Sequence, residues 1–490
     1  MYLSNVMPPT TEPQISLSSH DGQQSIGAAS LLAILLPILC VGAIPGFIAY
    51  ALGTINETQV VGGVIGILFG LLIASYPGFG LLVFVGLLYT RPEESIAALA
   101  GMHFPLIVAL VSTFGMAVKL LMEKQPAVKT PLIGMIVGFA IAAIVSGAVK
   151  GVLGIAVLDF VRLVALVLLI LNLVRTPRQY HSFVIALIGF TAYLAFYSAY
   201  LYYTGTATMD HGSGEGIARS RGTGIFSDPN DLAGTMVAGM ALALARCVQE
   251  RRGKRVIYLL LTTVMVWSIV LTNSRSGLMA MIVVIGGFAL MFSKRKVLAI
   301  SIALVLCGAF VVATSGRMKN FDSQEESANS RFRFWDEGLR QLAVSPLTGV
   351  GYTKFPDVND GFVAHNSFVQ CFAELGFPAY FFWMGCIYHV FRKRKPGKDE
   401  PEPSNSVSQD LLGARLAVVG YLTSGFWITR TYSPVMYVLF TLPVAQQFAT
   451  SGRSVLAFYP PAEKIQIWGK IFGLSLMSIA IIWLLVLRFK

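Results

Sequence analysis

Long apolar stretches constrain this chain more than any other feature. A helix that crosses a bilayer takes about 20 mostly apolar residues. Such stretches recur from Leu31 to Leu487, roughly 13 to 15 of them. The clearest cover 31–51, 97–122, 132–149, 152–174, 183–203, 232–248, 256–272, 278–292, 297–314, 368–391, 411–428 and 467–487. The stretch 60–89 is long enough for two short spans broken near Pro77-Gly78, and 434–448 is a shorter candidate. None alternates with the period of a lipid-exposed strand, so the expected fold is an all-α polytopic membrane bundle rather than a barrel. With 55% hydrophobic and 13% charged residues among 490, a soluble globular domain is excluded as well.

Polar punctuation divides the chain. Residues 1–30 are rich in Ser, Gln and Pro without the basic start of a secretory signal, and are expected to form a disordered tail. N-terminal transmembrane helices follow over 31–203, then a core over 204–391 that includes a long polar loop at 315–366. A linker at 392–410 leads to C-terminal transmembrane helices over 411–490. Five cysteines show no pairing or metal-ligand spacing and read as apolar core residues.

The net charge of +12 does not mark a nucleic-acid footprint, because Lys and Arg collect in short loops. Arg246 with Arg251, Arg252, Lys254 and Arg255 form one cluster, Lys294-Arg295-Lys296 a second, and Arg392-Lys393-Arg394-Lys395 a third. Short basic loops stay cytoplasmic. Alternating from them places 204–229, 273–276 and 315–366 together on the extracytoplasmic face. The C-terminal Arg488-Phe489-Lys490 fits this scheme poorly, since an odd number of spans puts it outside as well.

Those outer segments hold the chain's unusual polar residues. An unpaired charge in lipid costs at least ~2.5 kcal/mol, so cations at the ends of apolar helices point to an anionic partner at the membrane surface. The first segment reads Arg221-Gly-Thr-Gly-Ile-Phe-Ser-Asp-Pro-Asn230, the second Thr272-Asn-Ser-Arg275-Ser-Gly277. The third runs from Arg331-Phe-Arg-Phe-Trp335 through Ser345-Pro-Leu-Thr-Gly-Val-Gly351 to His365-Asn366, with Glu374-Leu-Gly376 beyond. In the long loop six Lys/Arg face seven Asp/Glu. An anion site there depends on particular arginines rather than on a general field. Phe332, Trp335, Leu339 and Leu342 recur at helical spacing, which predicts an amphipathic helix over 331–344 lying on the outer surface.

In order and spacing these segments, over about Gly205 to Gly376, resemble the O-antigen ligase and polymerase superfamily. That resemblance implies a bacterial inner-membrane, multi-pass glycosyltransferase that works on the extracytoplasmic face. It would take a glycan from undecaprenyl pyrophosphate and place it on a glycan acceptor, either a lipid-linked repeat or lipid A–core. Membrane lipids surround such an enzyme, nucleic acid has no part in it, and no cofactor or metal is implied. The arginine fork matches phosphate oxygens in geometry and charge, and the resemblance gives that role to Arg221 and Arg275. Fixed cations aimed at the leaving pyrophosphate lower the barrier. The resemblance makes His365 the third catalytic residue, on the acceptor side, where an imidazole titrating near neutrality can take or orient a hydroxyl proton.

Further substrate-binding candidates are Arg219, Asn230, Arg331, Trp335 and Asn366, each with a plainer reading beside it. Arg219 is two residues from Arg221 and competes for its role. Asp228-Pro229-Asn230 suits a helix start, and Asn366 equally suits a helix cap. Arg331 and Trp335 share a helical face and either pin a loop helix or touch the acceptor. Arg430 beside Tyr432 reads first as a cation snorkelling to headgroups. Two alternatives stay open. A transporter or flippase of polysaccharide precursors would use ionisable pairs at mid-membrane depth, for which Asp159 and Arg162 are the main candidates. A protein O-oligosaccharyltransferase is the alternative within the family, and the absence of a large soluble segment after the last span argues modestly against it.

Overall fold

The computed structural model describes residues 57–92, 103–205, 218–292, 326–392, 405–451 and 461–489. The chain divides into two compact units, Met1–Leu71 and Leu72–Lys490. In the first, the described residues belong to helix α1, Glu57–Ser75, which ends in the second unit. All that follows concerns the second unit.

Its helices are α2 (Pro77–Thr90), α3 (Phe104–Met122), α4 (Pro131–Val149), α5 (Leu153–Leu173), α6 (Pro177–Tyr203), α7 (Pro229–Gln249), α8 (Arg252–Leu271), α9 (Arg275–Phe292), α10 (Glu326–Val344), α11 (Ser367–Phe391), α12 (Asn405–Gly425), α13 (Pro434–Ser451) and α14 (Pro461–Phe489). There is no strand among the described residues. Every expected span within them is helical; the expected tail, the spans at 31–51 and 297–314, and the Lys294–Lys296 cluster lie outside the described residues. Seven of the described helices (α3 to α8, and α14 from Ile465) are long and apolar enough to cross a membrane. The molecule is an all-α polytopic membrane protein. The break foreseen near Pro77-Gly78 falls at Tyr76, with Pro77 at the first helical position, where its missing N–H costs nothing.

Helix α7 is the hub. In its most apolar window 83% of residues are buried, far above the other spans. Its face is built of Ala, Gly and Met, and small side chains let helix backbones approach closely. At Gly239 a Cβ atom would collide with the Thr191 side chain of α6. Helices α6, α8, α9 and α12 all pack around α7. This closeness fixes where the α7 N-terminus points, and the polar segment 218–231 leads into that N-terminus.

Helices α3 to α9 follow one another through loops, so successive helices run in opposite directions. One end of the bundle thus collects the starts of α7, α9, α11 and α13. The other end holds Arg246, bonded to Glu250 and Asp410, and Arg392, bonded to Glu463. The three polar segments therefore share one end and the described basic clusters the opposite one. The C-terminal residues do reach the polar end: Phe489 stacks on Phe332 of α10 at 5.0 Å.

Helix α11 departs from the expected single span at 368–391. Gly376 adopts φ 77°, ψ 178°, breaking the helix just before Pro378. The freed carbonyls are taken up at once: Val350 N–H donates to Ala373 O, Gly351 N–H to Glu374 O, and the Ser146 hydroxyl to Glu374 O. Phe377 N–H donates to Pro346 O at 2.7 Å. An irregular backbone inside an apolar bundle persists only when its polar groups are satisfied in this way. The piece Ser367–Leu375 then lies against the loops of the polar end, and only the rest of α11 descends through the bundle.

Candidate functional site

Arg219 ties the first polar segment to the second. It is 7% exposed, and its guanidinium donates from Nε to Thr272 O at 2.9 Å and from Nη2 to Asn230 Oδ1 at 3.1 Å. Asn230 Oδ1 also accepts from Ser274 Oγ at 2.8 Å. Ser274 in turn caps α9 by accepting from Gly277 N–H. Arg219 and Asn230 thus hold two loops together, and their polar atoms are spent on the protein. Arg221 is half-buried, three residues before the 3-10 turn Gly224–Phe226. Phe226, 1% exposed, anchors that turn.

Arg275 is the first residue of α9 and half-buried. A cation there opposes the helix dipole by about 0.3–1 kcal/mol. At the start of α7 the backbone N–H groups are taken up: Pro229 has none, and Asp231 and Leu232 donate to Asp228 O. Asp228 caps it, accepting from Asn230 N–H at 2.7 Å.

The third N-terminus is brought in by a pair that the motifs did not highlight. Asp231, 3% exposed in the first turn of α7, receives a hydrogen bond and ion pair from Arg430 Nη2 in the loop between α12 and α13. The Arg430 backbone N–H donates to Ser367 Oγ, and Thr431 binds both Ser367 O and Gln370 Oε1. Tyr432 OH donates to Glu374 Oε2 at 2.6 Å, and Thr353 N–H meets the same oxygen at 3.2 Å. The loop 426–433 therefore clamps α11 onto α7. Arg430 is no snorkelling cation: burial makes its guanidinium less basic than usual, while Asp228 opposes that effect. The sequence signal was available, since an acid in the first turn of an apolar helix requires a cationic partner.

His365 is set by α10. That helix is amphipathic as foreseen, and starts before the expected stretch, at Glu326. Trp335 is fully buried, packs against Phe426 and Trp427, and donates from Nε1 to Ala364 O at 3.1 Å. It pins the loop and offers no surface to an acceptor. Phe334 stacks on Phe362 and lies 6.1 Å from the His365 ring. His365 itself takes a left-handed backbone, φ 48°. Asn366, fully buried, caps α11 by accepting from the Phe368 and Val369 N–H groups, so its acceptor oxygen is committed to the helix.

Burial holds the His365 imidazole less basic than usual, and the neighbouring Arg331 guanidinium adds to that; Asp228 pulls the other way. The ring is therefore neutral at neutral pH, with a lone pair free to accept a proton. Arg331 and Asp228, from α10 and from the α7 cap, both act on it, so the first and third segments meet at His365. Asp159 and Arg162, 3.5 Å apart, are the seventh and tenth of the 21 residues of α5, and Tyr352 OH donates to Asp159 Oδ2 at 2.9 Å.

No curated protein matches the chain significantly. Residues 260–384 match the family model described as O-antigen ligase, a stretch that holds Arg275, Arg331, His365 and the Gly376 break. By this stretch, about a quarter of the chain, the protein is similar to the O-antigen ligase family, in line with the resemblance carried by the ordered segments.

Proposed function

We propose that the protein transfers a glycan from undecaprenyl pyrophosphate to the hydroxyl of a glycan acceptor on the extracytoplasmic side of a bacterial inner membrane. The observation that carries this reading is the clamp at one end of the bundle. Through Arg219–Asn230–Ser274 and Asp231–Arg430–Ser367, the starts of α7, α9 and α11 are drawn together beside His365. Converging helix N-termini favour an anion, and the O-antigen ligase domain supports ligase- or polymerase-type glycosyl transfer in general. The position of this end, opposite the described basic loops, supports the outer face.

In this reading Arg221 and Arg275 hold the pyrophosphate. The acceptor hydroxyl oxygen attacks the anomeric carbon while the bond from that carbon to the pyrophosphate oxygen breaks. The electron pair leaves with the pyrophosphate, where the arginines and helix N-termini offset the growing charge. The hydroxyl proton passes to the neutral His365 ring, which Arg331 keeps deprotonated. A ligase and a polymerase share this chemistry and differ in what carries the acceptor.

The test is genetic and chemical. A deletion strain complemented with wild type or with His365→Ala is analysed for glycans left on undecaprenyl pyrophosphate. Accumulation in both the deletion and the variant supports the reading, long chains indicating a ligase and single repeats a polymerase. A variant that behaves as wild type removes His365 from the mechanism.

A further inference from the structure

A cavity of about 430 Å³ lies beside the clamp and shares Tyr432 with it. It is lined by Arg91, His103, Asp159, Arg162, Tyr352 and Tyr432 together with apolar residues of α2, α3 and α5. This volume is in the range of small-ligand sites, about 300–1,000 Å³. Its single carboxylate is already engaged, Asp159 accepting from Tyr352 OH and facing Arg162. Arg91 and Arg162 against Asp159 leave the lining with one positive charge in excess, against a wall that includes Phe84, Leu88 and Leu166.

An aromatic partition separates the cavity from the clamp. Tyr432 packs on Tyr352 at 4.8 Å, and both rest on Phe160. Tyr432 belongs to the loop whose Arg430 holds Asp231. On the outward side, α3 continues from the lining Leu106 into Ile107, Leu110 and Phe114, all exposed and apolar. Cations over an apolar wall, next to a helix that presents hydrocarbon to its surroundings, suit one chemical class: a phosphate head on a long hydrocarbon chain.

We infer that this cavity holds the phosphate-bearing head of a second polyprenyl-linked glycan, the acceptor, while Arg221 and Arg275 hold the donor. The inference rests on the transfer reading above and deepens it, because a polymerase, unlike a ligase to lipid A–core, needs two polyprenyl-linked glycans at once. The shared loop 426–433 then couples the two sites, placing the acceptor lipid on one side of Tyr432 and the donor on the other.

The test counts bound lipids on the purified full-length protein by native mass spectrometry, with geranylgeranyl pyrophosphate as the probe. Wild type is expected to hold two equivalents. Arg162→Ala, and separately Leu106→Trp, which fills the cavity without touching a charge, are each expected to hold one, as is Arg221→Ala. Arg162→Ala combined with Arg221→Ala is expected to hold none. A wild type with one equivalent, lost in Arg221→Ala and indifferent to Arg162→Ala and Leu106→Trp, overturns the inference and leaves the transfer reading standing. Binding that ignores both Arg221→Ala and Arg275→Ala overturns the transfer reading, and the inference with it. A second arm adds phosphatidylglycerol: if it occupies the cavity in wild type, is lost in Arg162→Ala and resists displacement by a tenfold excess of the probe, the cavity is a site for bulk phospholipid and the inference fails.

Discussion

Arg430 and Asp231, 199 residues apart in the chain, form the ion pair that locks the loop 426–433 onto the first turn of α7. Asp231 is almost fully buried and Arg430 about a third exposed. Removing one partner strands the other charge. Arg430→Ala should destabilise by roughly 3 kcal/mol, the lower end for a broken buried pair because part of the arginine still meets solvent. Arg430→Ala with Asp231→Ala should recover part of that loss. Thermal unfolding of the single and double variants in one detergent checks both statements.

His365 should cost about 10²–10⁴ in rate when replaced by alanine, with little change in melting temperature, because its ring contact with Phe334 is a loose one, tilted at 6.1 Å. A single-turnover assay with a lipid-linked donor separates this from a folding defect.

The pH profile of transfer should follow the charges around that ring. The neutral imidazole is the active form, and its basicity is depressed by burial and by Arg331. Activity should therefore persist below the ordinary histidine range near pH ~6.5 and fall only at more acidic pH. Removing the nearby cation in Arg331→Gln favours the imidazolium and should move the acidic limb upward. Asp228→Asn removes the carboxylate that favours the imidazolium and should move the limb downward, with the α7 cap kept because Asn also caps well. Identical profiles for all three proteins would dissociate the limb from His365.

Trp335→Phe should lower turnover while leaving donor affinity unchanged. The ring volume is largely kept, but Ala364 O loses its donor, and an unpaired buried acceptor costs about 1–3 kcal/mol. The strain falls on the residue next to His365 rather than on Arg221 or Arg275. Measuring kcat and donor Kd on the same preparation distinguishes this from a general loss of stability.

Gly376→Ala should fail to yield folded protein. A Cβ at this residue would sit 2.5 Å from the Leu347 carbonyl carbon, and φ 77° is strained for any L side chain. Fluorescence-detected size exclusion of Gly376→Ala beside Pro378→Ala checks it. Pro378→Ala should elute as wild type, since Gly376 rather than the proline sets the break.

The sequence alone determined the class of this protein. Hydrophobic runs of helical length leave one structural solution in a bilayer, so every expected span among the described residues is a helix. The Lys/Arg bias of short loops likewise placed the polar segments at one end together. The ordered segments from Arg221 to Gly376 carried the family resemblance that the O-antigen ligase domain bears out. Tertiary structure alone decided which polar residues are spent on the protein. Arg219 and Arg221 are near neighbours with identical side chains; only packing shows the first consumed by Thr272 O and Asn230. Trp335 is buried out of reach and Asn366 Oδ1 caps α11, while Asn366 Nδ2 is buried with no hydrogen-bond partner among the described residues. The Arg430–Asp231 clamp and the Gly376 break depend on partners far along the chain, and local pattern carries no information about which distant carbonyl or carboxylate will be within reach.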